Sequence, residues 1–172
     1  MDYLYGWSWH PEQRHPIREM TEAKARKAFA EGPQVAVIAL PEPGGVPAYT
    51  LEMSADAHDV CVTRYTEEGS IAASIDYTVL DGEHRLFLEQ VAEWLYPDDG
   101  EYRNMDEAKA TRQFFFKPDG NAKVKSRVND AEAETVEEFS DVDVSDHWVD
   151  RVTWGDWDRI GTHQRKAPDP GA

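Results

Sequence analysis

Apolar and polar residues change their period several times along this chain, and each change marks an element. Val35 to Leu40 is apolar throughout and lies between Pro33 and Pro41, which predicts a central strand covered on both faces rather than a helix of that length. Pro41-Glu42-Pro43-Gly44-Gly45 must turn, after which Tyr49, Leu51 and Met53 alternate with Thr50 and Glu52 in a second strand. Val60, Val62 and Arg64 share one face of a third strand. Glu67-Glu68-Gly69 supplies a hairpin loop, and Ile71, Ala73, Ile75, Tyr77 and Val79 line one face of a fourth. Consecutive strands with short connections predict an antiparallel meander.

From Asp81 the period becomes helical: Leu88, Val91, Ala92 and Leu95 fall at i, i+3, i+4 and i+7, with Phe87 and Trp94 widening the stripe. The pattern predicts the main core helix near residues 83 to 96, capped by Asp81 and ended by Pro97-Asp98-Asp99-Gly100. A competing reading makes Asp81-Gly82 a hairpin turn and Arg85 to Gln90 a strand, which explains Leu86 and Leu88 but not the later residues. A smaller N-terminal helix is expected near 22 to 31, with Thr21 as N-cap, Ala25, Ala28 and Phe29 on its apolar face, and Gly32-Pro33 as its stop. Asn104 and Glu107 have capping-box spacing. Lys117-Pro118-Asp119-Gly120-Asn121 is the turn of a hairpin between Phe114-Phe115-Phe116 and Ala122 to Val128, with Val124 and Val128 facing the core. Val142 and Val144 alternate with Asp141, Asp143 and Ser145 in a further strand, and a last strand runs near Trp148 to Trp154. The expected fold is a single α+β domain over 1–162, a mainly antiparallel sheet of about six to eight strands in a meander, with a flexible tail over 163–172.

Charge adds a second layer. Acids number 34 against 18 bases, for a formal charge of -16, which disfavours direct binding to nucleic acid or anionic lipid and leaves basic partners open. The imbalance is local: Asn129 to Asp158 holds eleven acids and one base, whereas Arg103 to Arg127 holds seven bases and three acids. One reading makes the acidic segment a recognition surface for a basic protein, with Asp141, Asp143, Asp146, Asp150 and Asp156 as its carboxylates. The alternative is a solvated face in an acidic proteome. The longest apolar run is too short to span a bilayer, and Met1-Asp2-Tyr3 lacks the start of a signal peptide, so a cytoplasmic protein is expected.

Catalytic chemistry finds little support. Asp141 to Asp146 opens like an EF-hand loop, but position six is Asp146 and position twelve is Val152, where glycine and glutamate are required. His10 and His15 near Glu12 have a spacing that does not share a helical face, so no metal or other cofactor is expected. Cys61 beside His58-Asp59 reads as a structural thiol, and no nucleophile elbow, Walker loop, dinucleotide turn or H-E-x-x-H helix is present. The aromatic concentration at Trp7, Trp9, Trp148, Trp154 and Trp157 fits a terminal minicore in which Trp7 and Trp9 pack on Trp154 or Trp157. The same residues also suit a ligand platform built on Trp148, Trp154 and Trp157.

Together these features imply a noncatalytic acidic binding protein that neutralises or regulates a basic protein partner. It resembles bacterial immunity proteins and antitoxins in physical character only, with no family motif covering any part of the chain. A small-molecule or carbohydrate-binding domain, with hydrolysis as a variant, is the alternative carried by the Trp and carboxylate cluster. A DNA mimic would additionally require carboxylates spaced like phosphates.

Overall fold

The computed structural model describes residues 1–128 and 134–163; the expected tail lies, from 164 onward, outside them. In chain order the elements are β1 (Asp2–Gly6), β2 (Ser8–His10), β3 (His15–Ile17), α1 (Glu22–Glu31), β4 (Val35–Leu40), β5 (Tyr49–Met53) and β6 (Asp59–Tyr65). They continue with β7 (Ile71–Val79), β8 (Arg85–Leu95), β9 (Ala110–Phe116), β10 (Ala122–Val128), β11 (Thr135–Phe139), β12 (Trp148–Asp150) and α2 (Asp158–Gly161). Ten strands form one antiparallel sheet in the order β1-β4-β5-β6-β7-β8-β9-β10-β11, and β12 pairs with the start of β8. From β4 to β11 the order is that of the chain, a meander of eight strands, at the upper end of the six to eight expected, and β1 and β12 bring the sheet to ten. β2 and β3 form a separate hairpin.

The register sorts the side chains. Val37, Leu51, Val62, Ile75, Val91, Phe114 and Val124 lie directly opposite one another across successive strands, so they share one face. This face, with Val35, Met53, Val60, Tyr77 and Leu88, carries the main core. The expected strand Val35 to Leu40 is β4, buried at all six positions. Its other phase, Ala36, Ile38 and Leu40, packs beneath Trp9 of the β2–β3 hairpin in a smaller cluster on the back of the sheet. Trp9 therefore lies across the sheet from Trp154 and Trp157, which pack with Tyr5 and Phe29 in the main core, so the expected packing of Trp9 on either of them is not formed. His10 and His15 stand opposite each other in this hairpin.

The expected core helix at 83 to 96 is instead β8, an eleven-residue strand. A β-bulge produced the misleading period. Tyr77 faces Leu88 and Asp76 faces Gln90, so Glu89 is an extra residue that reverses the phase of the strand. Leu86 and Leu88 point to the core before the bulge and Val91 after it, which places 88 and 91 on one face at a spacing of three. Leu95, the fourth member of the supposed stripe, is 56% exposed. Val128, in phase with Val124 on β10, is also 56% exposed rather than buried. Val142 and Val144 belong to a loop rather than a strand; Val142 N donates to Gly120 O at 3.0 Å, in a turn where Gly120 adopts a φ of 82°.

The core face is closed by α1 and by the C-terminal segment. Thr21 Oγ1 accepts from Lys24 N at 3.4 Å, Ala25 and Phe29 project inward four residues apart, and Gly32 N bonds Ala28 O at 2.8 Å to end the helix. Gly32 is needed for close approach, since a Cβ there would lie 2.7 Å from Ala28 backbone atoms. Burying side chains such as Phe29 and Leu51 contributes roughly 1.5–3 kcal/mol each. Among the described residues no helix is long and apolar enough to cross a membrane.

Candidate functional site

The back of the sheet carries the polar phase of the strands, and the same register aligns it. Glu52, Cys61, Asp76, Gln90, Phe115, Lys123 and Glu138 stand in one row across β5 to β11. The row changes sign along its length. At the β5–β8 end a groove of about 320 Å³ is lined by Glu52, Asp59, Asp76 and Glu89 around Cys61, and among the described residues its lining includes no lysine or arginine. At the β9–β11 end a second groove, of about 520 Å³, is lined by Lys117, Lys123 and Lys125 with Phe115, Glu138 and Phe139.

Each acid in the first groove is placed by its element. Glu52 is the outward residue of β5 and accepts from Gln34 Nε2 at 3.2 Å, while that amide also donates to Trp7 O at 2.8 Å. Burial raises the Glu52 carboxyl above the ordinary glutamate range. Glu89 sits on the bulge, and its carboxyl is raised by burial and then by the charges of Asp59 and Asp76. Asp59 is lowered, chiefly because Thr78 Oγ1 donates to it at 2.6 Å, with Ser54 and His58 as further donors. The groove thus concentrates negative charge in a partly desolvated place, where a cation would be stabilised.

Cys61 is half-buried in this groove, an environment that disfavours its nucleophilic form. Burial, followed by the neighbouring Asp76 charge, pushes its thiol up to about 12, so the thiolate is scarce near neutrality. His58 is exposed and its Nδ1 lies 3.3 Å from Asp59 Oδ2. Among the described residues no three His, Cys, Asp or Glu side chains are grouped to hold a metal ion.

The carboxylates singled out from sequence occupy a different place, the segment that follows β11. All five are exposed. Asp143 Oδ1 accepts from Ser145 N at 2.9 Å, which lowers its pKa. Asp156 Oδ2 accepts from Arg159 Nε at 2.6 Å, and the same guanidinium donates to the Asp150 and Arg151 carbonyls and lies 3.9 Å from Asp150 Oδ2. Three of the five, Asp143, Asp150 and Asp156, are therefore tied into local structure, while Asp141 and Asp146 lie in the segment before β12.

Of the three tryptophans assigned to a ligand platform, Trp157 is 1% exposed, enclosed by Phe29 and Trp154. Trp154 stacks on Tyr5 at 5.5 Å. Trp148 packs on Phe87 at 4.8 Å and receives the Arg85 guanidinium 5.2 Å above its ring. The three do not form one open face, and most of their area holds the C-terminal segment to the sheet.

Sequence patterning missed Glu52, Asp76 and Glu89 as a group. Each was visible as an outward residue or an interruption of an apolar phase, but only the strand register brings them together. No family model, curated protein or solved structure matches this chain.

Proposed function

We propose that this protein is a noncatalytic acidic binding protein that recognises a basic protein partner and neutralises or regulates it. The observation that carries this reading is the groove lined by Glu52, Asp59, Asp76 and Glu89, with no lysine or arginine among its described lining residues. A lysine or arginine side chain entering it would meet several carboxylates at once, offsetting both the burial and the neighbouring charges of Asp59 and Asp76 that raise Glu89. Asp141, Asp143, Asp146, Asp150 and Asp156 supply a second, outer component, steering a basic surface at longer range through a chain of charge -16.

The test is association kinetics with a partner obtained by copurification, measured at low and moderate salt. Replacing Glu52, Asp76 and Glu89 together by Gln, Asn and Gln is expected to weaken affinity about tenfold or more, and to flatten the salt dependence of association. Unchanged affinity and salt dependence in a folded triple variant would reject the groove as the recognition site.

A further inference from the structure

β11 ends the main sheet, and all five of its residues are exposed. Its inner side pairs with β10, while no described strand pairs with its outer side. Alternate N–H and C=O groups along that side therefore point away from the sheet, in the arrangement that accepts another strand. Val136 is 49% and Phe139 39% exposed, so the edge offers apolar area as well as backbone groups. The opposite edge is treated differently: Met20 bridges to Tyr5 on β1, with Met20 N donating to Tyr5 O at 2.9 Å.

The glutamates select the occupant. Two-fold self-pairing centred on Glu137 or on Glu138 sets that residue against its own copy, and pairing centred on Val136 sets Glu138 against Glu134. Like charges directly opposite destabilise a strand pair, so a second copy of this edge is disfavoured. Lys123 lies 3.8 Å from Glu138 and Lys125 3.7 Å from Glu134, whereas Glu137 stands opposite Val124. We infer that β11 accepts an extended basic segment of the partner protein as an added strand, with a lysine or arginine placed opposite Glu137. This rests on the basic-partner reading and specifies where the partner's backbone attaches.

The experiment titrates the full chain with a short synthetic peptide alternating lysine and valine, and follows backbone amide exchange by NMR. Alternate amides of β11 should become protected. Glu137→Lys should weaken binding about tenfold and transfer preference to the matching glutamate–valine peptide. Glu19→Lys, an exposed site outside the sheet with the same change in net charge, should have little effect. Equal weakening by both variants would overturn the inference, as would unprotected β11 amides at saturating peptide. Protection confined to β5–β7 overturns strand addition and leaves the basic-partner reading standing. Binding at neither place also overturns strand addition, and the basic-partner reading is then decided by the association kinetics above.

Discussion

Glu52 shows how one outward residue on a strand acquires a functional character. Its neighbours in sequence, Leu51 and Met53, are fully buried, and the carboxylate shares a partly desolvated groove with Asp76 and Glu89. Its raised pKa means that the folded state holds the proton more tightly than the unfolded chain does. The corresponding stability is present below the unfolded glutamate pKa and is lost as pH rises through the folded value. Glu52→Gln, which cannot ionise, should therefore be more stable than the wild type at neutral pH, with the advantage disappearing in acid; denaturant unfolding across pH measures this. That Glu52 points away from the core was legible in the alternation from Tyr49 to Met53. What surrounds it was not, because its companions come from β7 and β8 and sequence alternation does not specify register.

At the scale of elements, β8 is the most informative correction. A strand with a bulge and an amphipathic helix both place apolar residues three apart, so Leu88 and Val91 alone cannot separate them. The structure separates them through the pairing of β7 with Leu88 and then with Gln90. For the fold, Glu89 is therefore required as an inserted residue rather than for its side chain. Deleting it should bring either Leu86 and Leu88 or Val91 out of phase and cost more than about 3 kcal/mol. Glu89→Ala should change stability by less than about 0.5 kcal/mol. Equilibrium denaturation of the two variants distinguishes them, and similar small losses would mean that the bulge does not set the phase. Other elements were easier to read. Thr21 and Gly32-Pro33 punctuate α1, and Asp119-Gly120-Asn121 turns β9 into β10, because these depend on contacts a few residues apart. The β2–β3 hairpin was missed since Pro11 and Pro16 mask its short alternation, although Trp9 alone buries against three residues of β4.

Across the whole molecule, one sheet divides two jobs between its faces. The core face is apolar and covered by α1 and the C-terminal segment, and the back face carries acids at β5–β8 and lysines at β9–β11. The antiparallel meander was legible because its strands follow one another in the chain, and the excess of acid was legible from composition. The acidic groove was not, since it draws on residues from 52 to 89 while the densest run of acids lies beyond 129. This separation gives long-range steering and short-range recognition to different residues. The central claim is that the groove receives a cationic side chain of a basic protein. Carboxyl NMR of Glu52 and Glu89, titrated with pH in the free protein and with the partner bound, tests it most directly. A cation in the groove should lower both pKa values on binding and make affinity fall as pH drops through the raised values of the free protein. Titration curves that coincide with and without a saturating partner would contradict it.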